Sequence, residues 1–114
     1  MTNIRRSNGT KRDAVRRRVL REEDTCHLCG RWVDVTLPKG LHASPEVDEI
    51  IPVSFGGSPF VRSNCRLAHR WCNRKRWTGP VAPWRIELHA NPPQFGPDGM
   101  VTTTVLRAKN SRVW

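Results

Sequence analysis

Two short motifs constrain this chain more than anything else in it: Cys26-x-x-Cys29 and His69-x-x-Cys72. Each x-x spacing bends the backbone so that two donors meet one ion. Cys thiolate and neutral His are the ligands that suit tetrahedral Zn²⁺, and two such knuckles make a closed structural site. The fold must therefore bring residues 26–29 against residues 69–72. The need for a staple follows from size. With 114 residues and a hydrophobic fraction of 37% the core is lean, and small domains often rely on a metal or on disulfides. Bound zinc supplies about 10–16 kcal/mol of apparent folding free energy, against a typical net stability of about 5–15 kcal/mol. The competing reading is a disulfide or a set of free thiols, and an intracellular setting argues against the disulfide. Cys65 is a rival ligand, but its apolar strand position suits a buried free thiol. His27 lies inside the first knuckle and is expected to point outward.

Charge narrows the partner. Twenty Lys+Arg stand against ten Asp+Glu, a formal net charge of +10. Sixteen of the cations are Arg, whose planar fork matches phosphate oxygens better than Lys does. Nucleic acid is the expected partner; the bland alternative is a merely soluble basic surface. No run of about 18 apolar residues is present, so no membrane span is expected. The start, MTNIRRSNGTKRDAVRRR, lacks the apolar stretch of a secretory signal. The expectation is a soluble, cytoplasmic domain.

Composition divides the chain into three parts. Residues 1–10 are polar and read as a basic disordered arm. Residues 11–79 carry a helix at 11–23, with Ala14, Val15, Val19 and Leu20 near one face and Thr10 or Asp13 as its cap. They continue with the first knuckle, a short strand at 31–37, a strand at 44–51 and a Gly56-Gly57 turn. A second short strand near 64–68 and a helix at 69–77 follow, ended by Gly79-Pro80. Residues 80–114 read as a Pro-rich linker and a β-hairpin formed by 85–90 and 100–107, with a tail ending in Trp114. The fold class is α+β.

The residues between the knuckles carry the chemistry. The stretch EVDEIIPVSFGG followed by SNCRLAHRWCNRKR resembles the HNH endonuclease family, whose core is a ββα-metal unit. The matching positions are Cys26, Cys29, Asp48, Ile50, Pro52, Gly56-Gly57, Asn64, Cys72 and Asn73, with His69 where the family often has a third Cys. The resemblance covers roughly residues 26–76. It implies a zinc-stapled ββα core and metal-dependent hydrolysis of DNA phosphodiester bonds. Asp48 and Asn73 would be hard oxygen ligands for one catalytic Mg²⁺ or Mn²⁺. Asn64 would brace the loop that positions the base, by hydrogen bonds to backbone. Short stand-alone members are often phage-encoded and act with a terminase, which makes a phage terminase an implied partner.

One position departs from the family. Glu49 stands where the general-base His is usual. A Glu with a reference pKa near 4.3 is the weaker base at neutral pH, and burial can raise it. Glu49 is the first choice for the base; the alternatives are its use as a second metal ligand, another residue as base, or no working base. His42 is too far along an extended strand, and Glu46, on the same strand face as Asp48, is an accessory acid. Arg16 and Arg17 on the first helix, Arg70 inside the second knuckle, and Arg74, Lys75 and Arg76 after it are the candidate DNA contacts. A plain solvated helix face is the competing reading for the first group. Trp32, Trp71, Trp77 and Trp84 suit core packing better than base stacking. The Glu49 substitution keeps a second hypothesis open, a zinc-stapled DNA-binding module with an inactive HNH site.

Overall fold

The computed structural model describes the backbone of residues 2–102 and the side chains of residues 9–102. The 103–107 part of the expected hairpin, Trp114 and the side chains of Arg5 and Arg6 lie outside the described residues. The architecture is α+β: three α-helices and one two-stranded antiparallel sheet. Helix α1 spans Thr2–Glu22, strand β1 Pro45–Glu49, strand β2 Cys65–His69, helix α2 Arg70–Arg76 and helix α3 Val81–Ala90.

Each element follows from local sequence. Strand β1 alternates, with Glu46 and Asp48 on one face and Val47 on the other, and it ends before Pro52. Its register against β2 pairs Val47 with Leu67 and Glu49 with Cys65. Val47, Leu67 and Ala68 meet Val15, Val19 and Leu20 of α1 in the core, with Leu28, Val33 and Leu88. Helix α2 begins directly at His69, so the second knuckle is also the start of this helix.

A carboxylate ties α1 to the sheet. Glu23, just past the helix end, accepts hydrogen bonds from Arg62 Nη2 at 2.9 Å, Arg66 Nε at 3.0 Å and the Leu67 backbone N–H at 3.1 Å. Burial raises its pKa, but the Leu67 N–H and the two guanidiniums outweigh that and leave it below the usual value.

Four expectations are corrected. Residues 2–10 are helical, not an irregular arm: α1 runs on without a break, so neither Thr10 nor Asp13 caps it. Residues 31–37 hold only an isolated bridge, Thr25 with Trp32, followed by a turn. Residues 85–90 form the body of α3, not a hairpin strand. The composition of 85–90 is β-rich, yet Val81, Trp84 and Leu88 recur at helical spacing, and these three pack on the core while Ile86 is 74% exposed. Pro83 is tolerated because it sits in the first turn, where its missing N–H has no intrahelical partner. A reversal does exist further on, where Phe95 bridges Val101 around Gly99 (φ 79°). The fourth correction concerns the tryptophans. Trp71 and Trp84 pack against the core as expected, but Trp32 is 67% and Trp77 71% exposed.

Candidate metal centre and the adjoining acidic site

The first knuckle is built by backbone hydrogen bonds. Gly30 N–H donates to the Cys26 carbonyl at 2.8 Å, and Cys26 N–H to Arg31 at 2.9 Å. Gly30 closes the turn at φ 79°, where a Cβ would also lie 2.8 Å from the His89 ring. His27 N–H donates to the Leu67 carbonyl at 2.8 Å, which fastens the knuckle to β2. Two residues on, β2 delivers His69.

Cys26, Cys29, His69 and Cys72 converge. All four are buried, and their ligand atoms lie within 4.8 Å of one another. Bonds of about 2.0–2.3 Å to a tetrahedral zinc place donors about 3.5–4 Å apart, and Cys29 Sγ and Cys72 Sγ lie 3.4 and 3.9 Å from His69 Nδ1. His69 Nε2 lies 2.9 Å from the Trp32 carbonyl. That contact makes Nε2 the protonated nitrogen and leaves the Nδ1 lone pair for a metal, the usual outer support of a His ligand. Hydrogen bonds with Cys29 and Cys72 hold the Cys26 thiol below its ordinary pKa, and those with Cys26 and Cys29 push Cys72 above its own. A divalent cation would hold the cysteines together as thiolates. The donor set and spacing fit zinc. Cys65 is buried but outside the cluster, with its Sγ 3.6 Å from the Pro59 carbonyl.

The acidic site lies at the contact of β1 with α2. Asp48 is 7% exposed. Its Oδ2 accepts from Arg76 Nη1 at 2.7 Å and faces His27 Nε2 at 2.9 Å. His27 is therefore not outward-facing, as its place in the knuckle suggested; it is buried and bridges the knuckle to β1. Arg85 of α3 donates from Nη2 to His27 Nδ1 at 2.8 Å and from Nε to the His27 carbonyl at 3.0 Å. Since Arg is always a donor, His27 carries its proton on Nε2 and gives it to Asp48. Both His27 nitrogens are engaged and the ring is buried.

Arg76 is a further correction. As a cation after the second knuckle it was a candidate DNA contact, but it is 2% exposed. Its guanidinium binds Asp48 and the carbonyls of Glu49, Ile50 and Gly79 at 2.6–2.8 Å. It clamps the end of β1 to α2. Asn73 donates to Glu46 Oε1 at 2.9 Å. Glu46 also takes Arg70 at 3.1 Å and Arg74 at 3.6 Å. Asp48 and Asn73 thus lie on the same β1–α2 contact, each with protein partners of its own.

Glu49 differs from its neighbours. It is half-buried and has no ion pair or side-chain hydrogen bond among the described residues. Burial and the charge of Asp48 push its carboxyl above the usual range, with Arg12 and Arg76 pulling the other way. Asn64 braces the loop after β1. Its Oδ1 accepts from Ile51 N–H at 2.9 Å, and its Nδ2 donates to the Ile51 and Ser58 carbonyls at 3.0 and 3.1 Å. Gly57 is needed in that loop, because a Cβ there would lie 1.6 Å from the Ile51 carbonyl oxygen. His42 is occupied elsewhere, its Nδ1 accepting from Val101 N–H at 2.9 Å.

The remaining candidate contacts stay at the surface. Arg17, Arg74 and Lys75 are exposed and Arg16 and Arg70 half-buried, with Lys75 5.0 Å from the Trp71 ring centroid. Helix α1 carries a nearly uncompensated basic face, since Arg12, Arg16, Arg17 and Arg21 make no ion pair among the described residues. No helix among the described residues is long and apolar enough to cross a membrane. Comparison of the chain with protein-family models, with curated proteins and with solved structures returned no match.

Proposed function

We propose that this chain is a metal-dependent DNA endonuclease of the HNH type, which hydrolyses phosphodiester bonds on a zinc-stapled ββα core. The observation that carries the reading is the state of Glu49. It occupies the family's general-base position, its pKa is raised, and no cation among the described residues forms an ion pair with it. Such a carboxylate accepts a proton from water more readily than an ordinary Glu. Asn64 keeps the following loop in place, and Arg76 fixes the end of β1 against α2. The exposed Arg17, Arg74 and Lys75, with the half-buried Arg16 and Arg70, hold the phosphate backbone.

A catalytic Mg²⁺ or Mn²⁺ would be held by Asp48 and Asn73. The fit rests on one oxygen from each: Asp48 Oδ1 and Asn73 Oδ1 accept no hydrogen bond among the described residues, and neither is a sealed, unpartnered atom. Such an ion supplies charge stabilisation at the phosphate and the leaving 3′ oxygen. By the same resemblance the activity belongs beside a phage terminase in the host cytoplasm, and stimulation of cleavage by a terminase tests that.

A second reading is favoured by the other half of the geometry. Asp48 Oδ2 is already neutralised by a buried Arg76, and Glu46 by Arg70 and Arg74. A carboxylate discharged by the protein's own cations binds a metal less well, which suits a DNA-binding module without catalysis. Relaxation of supercoiled plasmid in Mg²⁺ or Mn²⁺ separates the two. The nuclease reading expects cleavage by the wild type and a loss of about 10²–10⁴-fold in Glu49→Gln. Retained DNA binding with no cleavage in either metal would establish the second reading instead.

A further inference from the structure

Trp77 has no structural reason to be a tryptophan. It follows Arg76 at the end of α2, is 71% exposed, and sits at φ 56°, ψ −123°. Those angles belong to the first central residue of a type II′ turn, where glycine is the ordinary occupant and a bulky side chain is strained. It is the one non-glycine residue with positive φ among the described residues. A helix stop alone would be served better by Gly, and a packing role would bury the ring. An outlier of this kind, retained at the surface, points to a use for the side chain.

The position says what that use is. Arg76 bonds the carbonyls of Glu49 and Ile50, so Trp77 stands on the rim beside the end of β1. Arg74 and Lys75 precede it on the same exposed stretch. Toward the start of β1, α1 and α2 enclose a cleft of about 310 Å³ lined by Arg16, Lys39, Arg70 and Arg74 around the single acid Glu46, so Arg74 links that basic cleft to the stretch that carries Trp77. Exposed cations take phosphate, and an exposed aromatic that follows them in the chain takes the face of a base.

We propose that Trp77 stacks on an unpaired nucleobase, so that the preferred ligand is a DNA strand whose bases are exposed beside the end of β1 rather than an intact duplex. This rests on the nucleic-acid reading above but not on catalysis. The test is fluorescence anisotropy of the full zinc-loaded chain, without added Mg²⁺ or Mn²⁺. The probes are a labelled single strand of about 20 nucleotides, enough to span one binding site, and its duplex. Wild type, Trp77→Gly and Trp77→Phe are compared, each with a thermal melt.

Trp77→Gly is expected to lose about 5- to 150-fold in affinity for the single strand, with a smaller loss on the duplex. Its Tm should rise by about 4–8 °C as the strain is relieved. Trp77→Phe should keep most of the affinity, because the ring is retained. Stability and binding then move in opposite directions, which no packing role produces. Unchanged single-strand affinity in Trp77→Gly would overturn the inference, as would a loss that tracks a lower Tm or falls equally on both ligands. Wild type binding neither ligand would instead sink the nucleic-acid reading on which it stands.

Discussion

The two buried polar clusters of this molecule lie one residue apart in sequence and behave oppositely. The Cys26/Cys29/His69/Cys72 group brings three thiols and the Nδ1 of one imidazole together with no charged partner among the described residues, its one outside hydrogen bond running from His69 Nε2 to the Trp32 carbonyl. The group around Asp48 is closed by the protein itself, with His27, Arg76 and Arg85 forming a chain of donors that ends on one carboxylate oxygen. The first cluster is incomplete without a cation, and the second already contains one. His27 joins them, since it belongs to the first knuckle by sequence and to Asp48 by contact. Removing the staple therefore disturbs the acidic site, while the reverse need not hold.

That asymmetry can be broken experimentally. The largest effect belongs to the metal cluster. Cys72→Ser, or chelation of the wild type, removes a contribution of about 10 kcal/mol or more. Loss of the cooperative melt at ambient temperature is the expected result by circular dichroism. The next concerns the buried pair. Arg76→Met leaves Asp48 without its compensating charge and should cost about 3–5 kcal/mol, whereas Arg76→Met combined with Asp48→Leu should recover much of it. Urea denaturation of the four proteins of that cycle measures the difference.

A smaller effect is assigned to Glu23. Glu23→Gln should cost about 1–3 kcal/mol, because Arg62 and Arg66 lose a charged acceptor. The folded-state pKa of Glu23 lies below its ordinary value. Its contribution is therefore complete above the unfolded pKa near 4.5 and is lost as pH falls through the lower folded value. Stability measured against pH should fall in that acid range for the wild type and more weakly for Glu23→Gln. The smallest effect is a shift in profile. Glu49 must be ionised to act as a base, and its pKa is raised. Cleavage should therefore rise with pH along a limb whose midpoint lies above 4.5, and that limb should vanish in Glu49→Gln.

Much of this arrangement is legible in the sequence, for a physical reason in each case. The ligand spacings, the alternation through β1 and the Gly-Pro stop after α2 are local patterns, so β1, β2, α2 and the four-residue cluster can be read directly. Asn64 is marked as a loop brace only by the resemblance, since its neighbours alone suit an ordinary turn residue equally well. The partnership of His27 with Asp48 has no local signature. It depends on the His27 backbone bonding to Leu67 and on Arg85 arriving from α3. Only a helical reading of residues 81–90 hints at it, since that reading places Arg85 next to Trp84 and one turn before Leu88, both of which pack on the core. The burial of Arg76 is likewise invisible, because a cation within Arg74-Lys75-Arg76 reads as surface. The strain at Trp77 is a backbone property that no side-chain pattern records.

The central claim is that one zinc, held by Cys26, Cys29, His69 and Cys72, closes this fold. Native mass spectrometry of the full chain tests it most directly. One zinc per chain in the wild type and in Cys65→Ser, and none in Cys72→Ser, is the predicted result. A folded wild-type chain without zinc, or loss of the metal in Cys65→Ser, would contradict it.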